Sequence, residues 1–552
     1  TEVILDVNIL AKGHEFCTVT AVTPSPDNQY LAYCVNLEGG EDYTVVIKSL
    51  TTGEIVDQKV INSFGQINWH ANSKGFFYVP CGDNWRAQKV MFHKIGGSAD
   101  TTVYEEKDPT YWVDIQTCLS HDFLFITPHT GERNEIWIVD LREEMLQSRL
   151  LKSRSDGHIT HADHHGEYFY ALINDMGKNF RLIRTSIHEP WSNITQIIPH
   201  SKDVYLDGIE SYQNFLVVSK KNLGVPEITA IDHSTLLPKF EIDFSKHAAS
   251  KSFAASALTM HYESNRLRYT YSSLCEPSQI WEYVDNNTTE LVKKITFDGF
   301  DPNDYEIERI YSTSDDGTQV PISLIYKKST FKKDGSNPLY LYGYGSYGIS
   351  MEPQFRPHIF PLLDKGFVYA IAHIRGGSDL GYYWYEAAKF LTKKRTFEDF
   401  ISCAKHLCEA SYTSKGNIAI DGRSAGGMLI GYTINTAPEL FKAAVLGVPF
   451  VDVLNTMLDE TLPLTATEFE EWGNPKNPEY YDYIKSYSPY DNVKAQNYPA
   501  IFMTTGIKDP RVGYWEPAKF LAKIKSMKLD QNPLLMKTDM SAGHFGKSSR
   551  FQ

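Results

Sequence analysis

The most informative stretch of this chain is GNIAIDGRSAGG, residues 416–427. It opens with a short apolar run and ends in a tight turn, where Ser424 stands between Gly422 and Gly426. A helix-like segment follows directly. The two glycines leave room for a strained turn that holds a serine hydroxyl clear of the backbone. Strand, turn with a central serine, and helix together predict a nucleophile elbow.

The partners that a serine nucleophile needs follow in the order acid, then histidine. His544 is the one histidine after Ser424, and it lies in a glycine-flanked loop behind an apolar run. Asp509 stands just beyond the strand-like residues 500–506, where it can orient the imidazole. The other acids in this interval are Asp452, Asp459, Asp482, Asp491, Asp530 and Asp539. We predict Ser424, Asp509 and His544 as the triad, because Asp539 would need a sharp local turn to reach the histidine.

An oxyanion site must also lie beside the serine, because the tetrahedral intermediate is negatively charged. The backbone N–H of Ala425 should supply one donor. A second is expected from the glycine-rich stretch LYGYGSYG, residues 341–348. That stretch also fits the Gly-x-Gly-x-x-Gly pattern of a dinucleotide site, but Pro353 interrupts the helix that would have to follow. We therefore predict no nucleotide or other cofactor, and no metal.

Length and composition indicate a globular protein of two or more domains. The chain has 552 residues, of which 42% are apolar and 13% aromatic. Its formal net charge of −14 argues against nucleic acid and anionic membrane as partners, since both attract clustered Lys and Arg. The N-terminus does not fit a secretory signal, and no apolar stretch is long enough to span a membrane. The seven scattered cysteines predict free thiols and a cytoplasmic location; monomer and dimer stay open.

A repeat dominates the first 300 residues. A polar turn followed by a short aromatic or aliphatic strand recurs, with the strands beginning at Tyr30, Phe76, Phe123, Tyr168, Phe215 and Leu267. The spacings of 45 to 52 residues favour the blades of a β-propeller over a β-sandwich. We predict a propeller over residues 1–303, with a short linker over about 1–13. Six blades are visible, and we favour seven because one more could lie at either end.

The pattern changes after residue 303. Strand-like segments alternate with helical ones, and the elbow around Ser424 lies in the middle of them. Such alternation predicts a mostly parallel sheet covered by helices. We assign residues 304–552 to an α/β-hydrolase domain, so the fold class is a hydrolase domain preceded by a propeller.

Several longer strings resemble the prolyl oligopeptidase family of serine peptidases, and within it the oligopeptidase B branch. They are LYGYGSYG (341–348), HIRGG (373–377), WYE (384–386), GRSAGG (422–427), EFEEWG (468–473), YSPYDNV (487–493), YWEP (514–517) and GH (543–544). The resemblance covers residues 305–552 densely and the propeller loosely. It implies a peptidase with Ser424, Asp509 and His544 as its triad and Tyr344 as the second oxyanion donor.

The same resemblance implies cleavage after Arg or Lys in short peptides. The two glutamates of the family's primary pocket match Glu468 and Glu470, which would point to one side of an extended segment and share a guanidinium. A second acidic pair matches Glu352 and Gln354, so only one carboxylate is kept there.

One further position and both chain ends bear on the resemblance. Arg511 resembles the family arginine that binds a substrate carbonyl. The family usually has further segments before the propeller and after the histidine loop, so we expect terminal segments to be missing here. Two other functions compete: a post-proline peptidase, whose pocket should be apolar, and an interaction scaffold with an inactive hydrolase domain.

Overall fold

The structure, a computed structural model, describes residues 2–82, 84–247, 250–285 and 288–547. All strands before residue 295 belong to small antiparallel sheets, and all strands from Tyr305 onwards belong to one large sheet. The predicted boundary between residues 303 and 304 lies in the connection between them, and its position stays a prediction.

The first region forms six four-stranded sheets, counted over the described residues. The strands are β1 (Thr18–Pro24), β2 (Tyr30–Asn36), β3 (Thr44–Ser49) and β4 (Ile55–Asp57) in the first sheet; β5 (Asn68–Trp69), β6 (Gly75–Tyr78), β7 (Lys89–Lys94) and β8 (Thr101–Glu105) in the second; β9 (Trp112–Thr117), β10 (Phe123–His129), β11 (Ile136–Asp140) and β12 (Ser148–Lys152) in the third; β13 (Thr160–His165), β14 (Tyr168–Ile173), β15 (Arg181–Ser186) and β16 (Thr195–Ile198) in the fourth; β17 (Val204–Ser211), β18 (Leu216–Asn222), β19 (Val225–Ile231) and β20 (Pro238–Glu241) in the fifth; β21 (Phe253–Leu258), β22 (Leu267–Ser273), β23 (Gln279–Asp285) and β24 (Thr288–Lys294) in the sixth. In each sheet the strands follow chain order, so each is the meander of a propeller blade.

The repeated apolar positions explain how the blades pack. Each predicted repeat begins at or beside the second strand of one sheet, and side chains of these strands are fully buried. Phe77 on β6 and Leu124 on β10 belong to one buried cluster, so the second and third sheets pack against each other.

The described residues form six blades, and the expectation of a seventh at one end of the chain is wrong for them. Among the described residues before β1, 2–17, the one regular element is the short helix α1 (Val7–Leu10). The connection after β24 contains only one 3₁₀ turn, Pro302–Asp304. The predicted repeat takes 45 to 52 residues. The described residues 2–17 and 295–304 are each shorter than one such repeat.

The second region is built on one eight-stranded sheet with the order β25-β26-β28-β27-β29-β30-β31-β32. These strands are β25 (Tyr305–Thr313), β26 (Gln319–Lys327), β27 (Leu339–Tyr342), β28 (Val368–Ala372), β29 (Ile418–Arg423), β30 (Phe441–Gly447), β31 (Ala500–Gly506) and β32 (Leu534–Asp539). The pairings of β26 with β25 and β28 are antiparallel, and all the others are parallel. This confirms the mostly parallel sheet that the sequence predicts.

Helices cover this sheet and complete its core. They are α2 (Phe360–Leu363), α3 (Tyr382–Glu386), α4 (Lys394–Glu409), α5 (Ala425–Thr436), α6 (Val453–Leu458), α7 (Phe469–Trp472), α8 (Pro478–Lys485) and α9 (Trp515–Met527). Phe400 of α4 and Met428 of α5 are fully buried in one cluster with Leu341 and Ile420 of the central strands. The α/β-hydrolase prediction is therefore confirmed. Of the described helices, none combines the length and the apolar character needed to cross a membrane.

Candidate active site

Ser424 forms the turn between β29 and α5, with φ 55° and ψ −123°. A positive φ at a residue other than glycine costs about 1–3 kcal/mol and needs support from its surroundings. A Cβ atom on Gly422 would lie 2.2 Å from the carbonyl oxygen of Gly426, so only glycine fits there. The Ser424 N–H donates to the carbonyl oxygen of Gly447 on β30 at 2.8 Å. These contacts hold the serine at the carboxyl end of the parallel strands.

His544 and Asp509 form a direct pair. The Nδ1 atom of His544 lies 2.7 Å from Oδ2 of Asp509, whose side chain is fully buried. The second carboxylate oxygen accepts the backbone N–H groups of Arg511 and Val512, both at 2.9 Å. Because an ionised carboxylate can only accept, Nδ1 must donate, which leaves Nε2 free to take a proton.

Asp539 does not contact the histidine. Its Oδ1 atom accepts the backbone N–H of Ser541 at 2.9 Å and the hydroxyl of the same residue at 3.1 Å. Burial by itself would raise the pKa of the Asp539 carboxyl, but these hydrogen bonds and nearby groups together lower it. The geometry therefore favours Asp509 over Asp539 as the acid.

Ser424, Asp509 and His544 line one cavity of about 770 Å³. Among the described residues, no hydrogen bond joins the serine hydroxyl to the imidazole. In hydrolases without substrate this contact is often long and tightens when substrate binds. From the propeller, the cavity is lined by Trp112, Asp114 and His129. Any substrate in it would lie between the propeller and the hydrolase domain.

Two groups can donate to an oxyanion in this cavity. Ala425 is the first residue of α5, and the first N–H groups of a helix have no partner within it. Tyr344 also lines the cavity, and its hydroxyl has no hydrogen-bond partner in the described part of the chain. Burial, reinforced by the nearby carboxylate of Glu468, raises the pKa of Tyr344 and keeps the phenol protonated. Its O–H is therefore available as a donor.

Glu468 lies in the same cavity, at the start of α7. Its carboxylate accepts the indole N–H of Trp472 at 2.7 Å, and the residue is partly buried beside the cavity. Burial raises the pKa of Glu468 to about 7, although the hydrogen bonds from Trp472 and Tyr347 favour the charged form. A cation that entered this site would replace lost water contacts and stabilise the carboxylate.

Glu470 does not lie beside Glu468, so the expectation that the two acids share one side of an extended segment is wrong. Residues 469–472 form helix α7, in which side chains two positions apart point in different directions. Glu470 instead accepts from Arg133 of the propeller at 3.2 Å and from the backbone N–H of Glu132 at 3.2 Å. It joins the two domains and is not part of the cavity lining.

Glu352 likewise is not among the residues that line the cavity. Its carboxylate pairs with Lys221 of β18 at 2.6 Å, and the same ammonium donates to Ser350. Gln354, the neutral partner in the predicted second pair, is exposed. The structure therefore gives Glu352 an ion pair with the propeller in place of the predicted substrate contact.

Arg511 lines the cavity, and it already has a partner there, so its predicted contact with a substrate carbonyl stays a prediction. Its Nη2 and Nε atoms lie 2.7 and 2.9 Å from the carboxylate of Glu41, in the connection between β2 and β3. The guanidinium also lies 5.3 Å from the ring of Trp85. Its positive charge is therefore balanced by the propeller before substrate binds.

Some residues that shape the cavity were not found by sequence reasoning. Trp112 and Asp114 come from β9, about 300 residues before the serine, and Glu41 is more distant still. The signal that could have found the first two is the blade repeat, because they stand on the first strand of the third blade. Nothing local marks Glu41 as a partner of Arg511.

Comparison with known proteins covers both regions of the chain. Residues 1–295 match the model of the family described as "Prolyl oligopeptidase, N-terminal beta-propeller domain". Residues 353–552 match the model described as "Prolyl oligopeptidase family". Together these matches span most of the sequence and correspond to the two regions of the fold.

Individual relatives match over the whole chain. Protease 2 of Moraxella lacunata is 36% identical over 100% of this chain and 79% of its own length. The structure of oligopeptidase B from Leishmania major superposes with a TM-score of 0.95 at 38% identity, covering 100% of this chain and 78% of that one. Oligopeptidase B from Trypanosoma brucei, in a closed form with covalently bound antipain, gives 0.93 at 36% identity over 99% and 78%. The chain therefore belongs to the prolyl oligopeptidase family of serine peptidases.

Proposed function

We propose that the chain is a serine oligopeptidase that hydrolyses short peptides on the carboxyl side of Arg or Lys. The observation that carries this proposal is one cavity lined by Ser424, by the paired His544 and Asp509, and by the partly buried carboxylate of Glu468. The first three supply a nucleophile with its base, and the fourth supplies a counter-charge for a basic side chain.

The reaction would proceed through an acyl-enzyme. Ser424 Oγ attacks the scissile carbonyl carbon while Nε2 of His544 takes the hydroxyl proton, and Asp509 stabilises the imidazolium through Nδ1–H. The oxyanion accepts hydrogen bonds from Ala425 N–H and the Tyr344 hydroxyl. When the intermediate collapses, the imidazolium gives its proton to the leaving amine. Water then attacks the ester by the same route and releases the acid.

The propeller would restrict the enzyme to short peptides. Trp112, Asp114 and His129 close the cavity from the propeller side, so the scissile bond lies between two domains where a folded protein does not fit. All seven cysteines are unpaired, which supports a reducing cytoplasm as the location.

Substituting Tyr344 by phenylalanine tests the second oxyanion donor. Removing one such donor typically lowers kcat by about 10²–10³-fold, because the bond is made mainly in the transition state. We expect a loss of that size with little change in KM, measured with a fluorogenic peptide that has Arg before the scissile bond. An unchanged kcat would return the loop around Tyr344 to a purely structural role.

Substituting Glu468 by glutamine tests the basis of specificity. The change removes the charge but keeps the size, so selectivity for Arg over uncharged citrulline at the cleaved position should collapse. The loss of such a charge pair costs about 2–5 kcal/mol, roughly 30-fold to several thousand-fold in the ratio of kcat/KM values. Glu470→Gln is the matched control, since that carboxylate pairs with Arg133 outside the cavity.

The same ratio has a predictable pH dependence in the unchanged enzyme. Burial raises the pKa of Glu468 to about 7, and only the ionised form pairs with a guanidinium. Selectivity for Arg over citrulline should therefore rise as pH increases through about 7, while pH effects on the chemical step, which both substrates share, cancel in the ratio. Two results would contradict this assignment: full selectivity in Glu468→Gln, or an equal loss of selectivity in Glu470→Gln. Either would mean that another group binds the cationic side chain of the substrate.

The two competing functions differ in what the cavity should contain. A post-proline peptidase needs an apolar pocket, which the carboxylate of Glu468 disfavours. An inactive scaffold has no need of the His544–Asp509 pair. A panel of substrates with Arg, Lys, Pro or Phe before the scissile bond separates all three functions: we expect turnover after Arg and Lys only.

A further inference from the structure

A buried lysine supports the loop that carries Tyr344. Lys393 directly precedes α4, and its side chain is fully buried. Its ammonium donates to the carbonyl oxygen of Gly345 at 2.5 Å and to the hydroxyl of Ser346 at 3.0 Å. Both acceptors are uncharged, and the ring of Trp472 lies 5.2 Å from the nitrogen. Burying an ammonium among such partners is costly, so the contact calls for an explanation.

A carboxylate fixes the same turn on the next residue. Glu471 is 4% exposed and accepts the backbone N–H of Tyr347 at 2.9 Å. Its other oxygen accepts the hydroxyl of Tyr385 on α3. Burial lowers the pKa of Lys393 to about 8, and the charge of Glu471 opposes that shift. The ammonium of Lys393 and the carboxylate of Glu471 thus hydrogen-bond to two consecutive peptide units, 345–346 and 346–347, close behind Tyr344.

The turn formed by residues 345–347 has strained backbone and little free space around it. Gly345 has φ 76°, and Tyr347 has φ 57°, which is unfavourable for a residue other than glycine. A Cβ atom on Gly345 would lie 2.4 Å from the methyl group of Thr396 on α4. Strained backbone of this kind persists only where its surroundings hold it in place, and such sites cluster around catalytic groups.

In contrast to this turn, the hydroxyl of Tyr344 is not fixed by a hydrogen bond to any described residue. The ring of Tyr344 packs beside that of Tyr347, with 6.4 Å between the ring centroids. The place of the hydroxyl in the cavity therefore depends on this packing and on the backbone of residues 345–347. We propose that Lys393 is a positioning residue for the transition state: by holding the Gly345–Ser346 turn, it keeps the Tyr344 hydroxyl aimed at the oxyanion. This inference rests on the proposed role of Tyr344 as an oxyanion donor.

A double-mutant cycle tests whether Lys393 acts through Tyr344. The substitution Lys393→Met removes the ammonium and keeps most of the length of the side chain. A displacement of a catalytic group by about 1 Å can cost about 10²-fold, so we expect a loss in kcat of about 10- to 100-fold with little change in KM. In a Tyr344→Phe background the same substitution should have almost no further effect, because the group it positions is gone.

A transition-state analogue gives an independent readout. A peptide aldehyde ending in arginine adds to Ser424 and forms a hemiacetal whose oxygen occupies the oxyanion site. Lys393→Met should weaken its inhibition by about the same factor as kcat, and it should leave inhibition by the corresponding peptide acid unchanged. Loss of both inhibitors alike would indicate general damage to the cavity and overturn the proposal.

Two further variants distinguish a loss of positioning from a loss of folding. Lys394→Met changes the neighbouring lysine, whose ammonium lies 5.4 Å from the ring of Tyr483, and should leave kcat unaltered. If Lys393→Met does not fold, Ser346→Ala removes one of the two acceptors; its smaller loss in kcat should again vanish in the Tyr344→Phe background.

Two different results would count against the inference. If Tyr344→Phe slows the enzyme and Lys393→Met slows it equally in both backgrounds, Lys393 acts independently of Tyr344 and the positioning role is wrong. If Tyr344→Phe alone leaves kcat unchanged, the oxyanion role of Tyr344 fails, and the inference about Lys393 fails with it.

Discussion

Replacing Ser424 by alanine is expected to lower peptidase activity by about 10⁶-fold, because the variant has no nucleophile to form an acyl-enzyme. Labelling by a fluorophosphonate should disappear as well. The hydroxyl has no hydrogen-bond partner among the described residues, so its removal should leave the fold intact, which a thermal melt can check. Labelling that survives in Ser424→Ala would place the nucleophile on another residue.

Replacing Asp509 by asparagine should have the next largest effect. The amide of asparagine can donate to Nδ1, which favours the imidazole tautomer that carries its proton on Nε2 and cannot act as a base. A loss of about 10⁴-fold in kcat is expected, measured with the arginine substrate. The buried carboxylate also accepts two backbone N–H groups, so the melting temperature must be measured beside the rate.

Asp539→Asn provides the matched control for that experiment. Asp539 is also an aspartate near the histidine loop, but its hydrogen bonds go to Ser541. We expect a far smaller effect on kcat than for Asp509→Asn. A larger effect for Asp539→Asn would mean that the histidine changes its partner during turnover, and the assignment of the acid would have to be reversed.

The parts of the fold that depend on local pattern could be predicted. The elbow around Ser424 is fixed by neighbouring glycines, and the propeller by a repeat of 45 to 52 residues. Asp509 and His544 were found because each follows a strand of a parallel sheet, whose carboxyl ends meet at one edge. That topology brings Asp509 near His544, and the short distance along the chain from Asp539 to His544 separates the two candidate acids.

The errors arose where distant segments decide the outcome. Residues 469–472 coil into a helix, and this separates Glu470 from Glu468. Glu470 and Glu352 then pair with Arg133 and Lys221 of the propeller, more than 100 residues away along the chain. No local pattern marks such partners, since each acid is equally able to face substrate or the other domain.

The triad and the specificity site can be tested together by a crystal structure of the enzyme with a peptide aldehyde that ends in arginine. We expect a covalent bond from Ser424 Oγ to the aldehyde carbon. The resulting oxygen should lie within hydrogen-bond distance of Ala425 N–H and the Tyr344 hydroxyl, with the guanidinium against Glu468. An adduct on another residue, or a guanidinium held by Glu470 or Glu352 in place of Glu468, would contradict this expectation.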